Sequence, residues 1–109
     1  MNELNIIEHY IKTWVEKNRP PVDVRNELDL TYEYNDGTFI LSEIRQLFDG
    51  GKIKSPCAKA TLIKKNNTWK LYWMRSNMKW YLFESEVELN TIFDVLNEIE
   101  KDEYGCFFG

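Results

Sequence analysis

The sequence is short of the residue types from which most catalytic and metal sites are built. Its 109 residues include one histidine, His9, and two cysteines, Cys57 and Cys106. A Ser or Cys nucleophile needs a base beside it, and His9 falls on the polar side of an N-terminal helical pattern, the place of a solvated residue. Zinc needs Cys or His at liganding spacing, which two distant cysteines and one histidine do not offer. Asp36-Gly37 is a turn rather than part of a calcium loop. Gly50-Gly51 is too short to cradle a phosphate, and no Lys-Ser or Lys-Thr follows at the spacing such a loop requires. No cofactor and no metal are therefore expected. No apolar run approaches the ~20 residues that span a bilayer, and Met1-Asn2-Glu3-Leu4 carries neither a basic opening nor an apolar stretch. The expectation is a cytoplasmic protein without membrane contact, its two thiols reduced. Positive charge is also in deficit: 14 Lys and Arg face 18 Asp and Glu, a net −4. That balance counts against a whole-surface nucleic-acid or anionic-membrane binder but leaves a local basic patch open.

Aromatic residues, by contrast, are abundant, at 15% with four Trp and six Tyr, and need both packing and partners for their polar ends. The length allows one domain, 1–109. Leu4, Ile7, Ile11, Trp14 and Val15 share one face of a helix predicted from Asn2 to Asn18, which Pro20-Pro21 stops. From Val22 to Tyr34 the period changes to two, which predicts a long half-buried strand with Asp23, Glu27, Asp29 and Glu33 on its polar face. Asn35-Asp36-Gly37 predicts a hairpin turn. A two-residue turn would put Phe39, Leu41, Glu43, Arg45 and Leu47 on the face of Tyr32. A three-residue turn with Gly37 as a bulge would put Ile40, Ser42, Ile44 and Phe48 there, and gives the cleaner core, so it is the expected register. The stretch from Asp49 to Pro56 reads as one long mobile loop. Strands follow from Cys57 to Lys65, Trp69 to Arg75 and Lys79 to Phe83. Ser85 with Glu88 reads as a capping box that opens a last helix, whose stripe is Leu89, Ile92, Phe93, Leu96 and Ile99. The tail Tyr104-Gly105-Cys106-Phe107-Phe108-Gly109 is expected to fold back on the core. The fold class is α+β: a helix, a five-stranded antiparallel meander and a C-terminal helix.

The motifs Ala58-Lys59, Trp69-Lys70-Leu71-Tyr72-Trp73-Met74-Arg75 and Met78-Lys79-Trp80, with Glu43-Ile44-Arg45, Arg19-Pro20-Pro21 and the ending Asp102…Tyr104-Gly105-Cys106-Phe107-Phe108-Gly109, resemble a family of small bacterial proteins classed as a domain of unknown function, number 3024. The resemblance runs from near Arg19 to Gly109 and implies an architecture and a bacterial setting, with no activity attached. Two positions depart from the family pattern. Tyr81 stands where relatives usually carry His after the Lys-Trp pair, so any chemistry of that His would be missing here. Gln46-Leu47 stands where they carry Pro and an aromatic.

Two helices can cover only one face of a sheet. Trp69 and Trp73 are therefore expected beneath them, with Lys70, Tyr72 and Tyr81 on the free face. Three functions fit such a surface. One is a non-catalytic module binding a protein or a second copy of the chain, anchored on Glu43, Arg45, Tyr72, Arg75, Lys79 and Tyr81. Another is an enzyme for a small anionic substrate, with Glu43 as acid–base group and Arg45 and Arg75 as clamps, which needs all three in one pocket. The third, disfavoured by net acidity, is a single-stranded nucleic-acid binder using the aromatic-basic strands. Against the first two stands a plain structural reading, in which Glu43 and Arg45 form an ion pair that fixes strand register. The strand carboxylates have the same plain reading as cross-strand pairs.

Overall fold

The computed structural model describes residues 3–108, with side chains from residue 5 onward. The expected helix start at Asn2, the Leu4 side chain and Gly109 lie outside the described residues. Helix α1 (Glu3–Asn18) is followed by strands β1 (Leu28–Asn35), β2 (Thr38–Gln46), β3 (Lys52–Ile63), β4 (Thr68–Met74) and β5 (Trp80–Leu82), then helix α2 (Ile92–Lys101). The strands pair in chain order, all antiparallel. No described helix is long and apolar enough to cross a membrane.

The core lies between one face of the sheet and both helices. Ile7, Ile11 and Val15 of α1 and Ile92, Val95, Leu96 and Ile99 of α2 bury themselves against Phe39, Leu41, Ala58, Ala60, Trp69 and Leu71. Val95 occupies the place in the α2 stripe that the sequence assigns to Phe93. Phe93 is exposed and instead packs its ring 4.6 Å from that of Tyr10. Trp69 is buried and Trp73 packs at the margin, as expected of residues beneath helices.

Four local expectations are corrected. The predicted strand start at Val22 is a 3-10 turn, Val22–Val24, and β1 begins only at Leu28. Short-range bonds win there: Val24 N–H donates to Pro21 O, Glu27 N–H to Val24 O and the Arg25 side chain to Pro20 O. Asp23 and Glu27 therefore leave the carboxylate row. At the hairpin the two-residue turn is the one formed, with Asn35 opposite Thr38 and Tyr32 opposite Leu41. Asp36 and Gly37 both have positive φ, 46° and 86°, the turn whose twist matches paired strands. The bulge lies elsewhere, in β3, where Leu41 pairs with Ala58 but Ser42 pairs with Pro56. The extra residue, Cys57, turns into the core, and the bulge lets Pro56 sit inside a strand.

The expected long loop at 49–56 is a tight turn. Leu47 N–H donates to Gly51 O, Gly50 N–H to Leu47 O and Gly51 N–H to the Asp49 carboxylate, so β3 starts at Lys52. Helix α2 opens at Thr91, not Ser85. Thr91 Oγ1 accepts from Asp94 N–H, and the Asp94 carboxylate accepts from Thr91 N–H, a capping box six residues later than expected. Ser85 spends its hydroxyl on Val87 N–H.

The end of α1 is tied to the edge strand by a two-pronged ion pair. Arg19 Nε and Nη2 donate to Asp29 Oδ1 and Oδ2 at 2.9 and 2.8 Å. Those bonds, with Leu30 N–H, hold the Asp29 carboxyl below its ordinary value of 3.8 against the opposing effect of burial. A carboxyl lowered on folding stabilises above its unfolded value and loses that contribution as pH falls through the folded one. Asp29→Asn is expected to be less stable than the wild type at pH 7 and to show a shallower loss of stability below about pH 4. Urea melts from pH 2.5 to 7 measure both.

Candidate functional site

Alternation along each strand sorts the side chains onto two faces. On the face opposite the helices, a row crosses the sheet through directly paired residues: Glu33, Ile40, Lys59, Tyr72 and Leu82. Met74 and its partner Trp80 lie beside that row. Tyr72 and Trp80 are half-buried and Leu82 is exposed. The Lys59 ammonium rests between the two aromatics, 5.6 Å from the Tyr72 ring centroid and 6.0 Å from that of Trp80, within the range of cation–π attraction. Lys52, Lys54, Lys59 and Lys70 point to this face, against Asp29 and Glu33. Both carboxylates are engaged, Glu33 with Lys54 and Asp29 with Arg19. A basic, aromatic surface therefore sits on an acidic chain.

The six residues singled out in the sequence do not converge. Tyr72 is on the open face as expected. Tyr81 is not: it pairs with Trp73, so its ring is on the helix side. The one-residue alternation that carries Tyr72 and Leu82 outward necessarily carries Trp73 and Tyr81 inward. Arg75 stacks on those two rings, 4.7 Å from Trp73 and 4.1 Å from Tyr81. Lys79 is exposed in the turn before β5, its carbonyl accepting from Arg75 N–H. Glu43 and Arg45 are paired at 3.1 Å, and the two-residue register puts them on the helix side too.

Glu43 instead enters a cleft of about 380 Å³ where the end of α1 meets β1, β2 and the tail. Trp14, Pro20, Leu28, Leu30 and Phe108 form its apolar walls, with Asn18, Glu43 and Glu100 as its polar groups. Neither Arg45 nor Arg75 lines it. Alternation alone could have flagged Lys59, a lone charge between Ala58 and Ala60. Nothing local marks Glu100 or Asn18, because the cleft exists only once the termini have docked.

Cys57 and Cys106 are both free thiols. Cys57 is buried, its thiol donating to Leu41 O at 3.4 Å. Burial pushes this thiol up to about 12, helped by the nearby Glu43 and Asp102 carboxylates. Cys106 is raised less, by burial and then Asp102, with Arg75 acting in the opposite sense. Native protein at pH 8 should therefore leave Cys57 unlabelled by iodoacetamide while Cys106 reacts, and urea should expose Cys57. The sign for stability follows. The unfolded thiol ionises near 9.0 and the folded one near 12, so this site costs stability progressively as pH rises between those values.

The geometry defines a two-layer α+β domain with one sheet face left open and a cleft at the margin of the other. The chain belongs to the family described as Domain of unknown function (DUF3024), whose match covers residues 1–109. Comparison with curated proteins and with solved structures finds no match.

Proposed function

We propose that this protein is a non-catalytic, cytoplasmic binding module of bacterial origin, a single domain that recognises an acidic macromolecule with the open face of its sheet. The observation that carries the reading is the Lys59 ammonium held between Tyr72 and Trp80 on a face no helix covers. Rigid aromatics with a neighbouring cation are the side chains on which binding energy concentrates. Complementary charge steers and selects the partner. The lysines of this face would meet their own copies in a two-fold homodimer, which favours a different, acidic partner. Stacking platforms beside lysines also suit single-stranded nucleic acid, so the test keeps the two apart.

Tagged wild type, Lys59→Glu/Tyr72→Ala and, as a helix-side control, Lys12→Glu would be used to capture partners from lysate of the native host, with and without nuclease. The expected result is one partner retained by wild type and by Lys12→Glu and lost from the sheet-face variant. Loss on nuclease treatment makes the partner a nucleic acid. Equal capture by all three proteins, or by none, removes the reading.

A further inference from the structure

The cleft carries a second, independent site. We propose that it binds a small organic cation, an alkyl- or arylalkyl-ammonium whose apolar body lies against Trp14, Leu28, Leu30 and Phe108 and whose ammonium meets Glu43 and Glu100. Its volume, about 380 Å³, lies within the range of small-molecule sites, which are apolar hollows with a few polar groups that orient the ligand.

The polarity of those groups fixes the ligand's chemistry. Asn18 gives one of its two Nδ2 hydrogens to Trp14 O at 2.9 Å and keeps its carbonyl oxygen as an acceptor. Glu43 is only 17% exposed, and Arg45 engages one of its oxygens, Oε2. Oε1 has no hydrogen-bond partner among the described residues, and the Glu100 carboxylate has none either. The indole N–H of Trp14 is sealed from solvent, so it reaches no ligand. Two of the three polar groups that line the cleft are thus carboxylates, which are anionic and only accept. A carboxylate or phosphate ligand would meet repulsion from both carboxylates and at most the one remaining N–H of Asn18. A neutral alcohol would supply one donor. An ammonium supplies three donors and the complementary charge, and aromatic walls favour it further. Arg45 competes weakly, since it is 57% exposed and forms a single bond, the geometry in which ion pairs contribute little.

This reading reverses the sign of the substrate class that Glu43, Arg45 and Arg75 suggest in the sequence. Neither arginine lines the cleft, so its carboxylates are the groups that meet an occupant.

The test uses three molecules of one shape: 2-phenylethylammonium, 2-phenylethanol and 3-phenylpropionate. Each is titrated into the ¹⁵N-labelled full chain, following amide and indole shifts. The ammonium is expected to saturate with shifts confined to the Trp14, Leu28–Leu30 and Phe108 region. The alcohol should bind at least about tenfold more weakly, the difference a charge-assisted bond makes, and the propionate not at all. Glu100→Gln alone, an exposed change that leaves the fold intact, should weaken the ammonium severalfold, and Glu43→Gln/Glu100→Gln should bring it to the level of the alcohol. Equal affinity for ammonium and alcohol overturns the proposal. So do undiminished binding by Glu100→Gln, ammonium shifts spread over all surface carboxylates, and no binding of the ammonium at all.

Discussion

Phe39→Ala is expected to lower the unfolding free energy by about 3–5 kcal/mol, the range for removing a fully buried aromatic. Ile40→Ala, one residue along the same strand, should cost about 1 kcal/mol, because its side chain is half-buried on the open face and already partly hydrated. Phe39 is 0% exposed and is the largest fully buried side chain. Ala60 opposes it across the β2–β3 ladder and Tyr34 across the hairpin. Truncation would leave a cavity against rigid sheet backbone that neighbours could not fill by shifting. The contrast between adjacent positions is the informative quantity. A three-residue turn at Gly37 would reverse it, burying Ile40 and exposing Phe39, since one step of register exchanges the faces. Urea melts of the two variants under identical conditions measure the difference, and a larger loss for Ile40→Ala would refute the register. Stabilities of small domains are only about 5–15 kcal/mol. If Phe39→Ala is too unstable to melt cleanly, Phe39→Leu against Ile40→Val gives the same ordering at reduced amplitude.

That register also explains how far the sequence could be read. The element order, the meander and the helix-covered core follow from periodicity, because long amphipathic segments such as α1 and β4 carry their own signal. The two hairpin registers could not be separated that way. Both place apolar residues opposite Tyr32, and the choice falls to backbone geometry at Asp36 and Gly37, where two consecutive positive φ angles are available. Choosing by hydrophobicity preferred Ile40 and Ile44 over a face that includes Glu43 and Arg45. The fold accepts that pair on the helix side because it lies at the sheet's end, where Arg45 reaches solvent while Glu43 faces the cleft. The start of α2 turns on a similar point. Ser85/Glu88 and Thr91/Asp94 are both plausible in isolation, and Leu89 is what separates them. Its carbonyl accepts from Trp69 N–H and its side chain is buried, so the chain before Thr91 runs against β4 and cannot already be helical.

Site residues were legible in proportion to how local their geometry is. Tyr72 reached the open face by simple alternation within a strand that the Trp69-Leu71-Trp73 series fixes. Tyr81 did not, because its side depends on how β5 registers against β4 across the Ser76–Lys79 turn. Met78 in that turn has φ 65° and Asn77 bonds to both Lys79 N–H and the Tyr81 hydroxyl. Glu100 and Phe108 were invisible as cleft residues, since their neighbours come from the opposite end of the chain.

Phe107→Ala should cost about 3 kcal/mol or more, whereas Phe108→Ala, at the adjacent position, should change stability by less than about 1 kcal/mol. Phe107 is 5% exposed and packs its ring 5.2 Å from Phe83, while Phe108 is 37% exposed. Asp102 holds both in place. It ends α2 in the left-handed conformation, φ 40°, and its two carboxylate oxygens accept from Phe107 N–H at 2.9 Å and Phe108 N–H at 3.0 Å. One residue thus stops the helix and turns the tail back onto the sheet. Asp102→Ala should lose about 1.5–3 kcal/mol, the contribution of hydrogen bonds to a charged group. Thermal and urea melts rank the three variants, and rapid proteolysis of the tail in Asp102→Ala would register the released segment directly. Equal losses for Phe107→Ala and Phe108→Ala would mean that the tail does not close the core. The two phenylalanines divide the work of the ending between them: Phe107 supplies the packing, and that packing fixes Phe108 as a wall of the cleft. Phe108→Ala is therefore the variant that should shift the melting curve far less than Phe107→Ala and still weaken the binding of an organic ammonium.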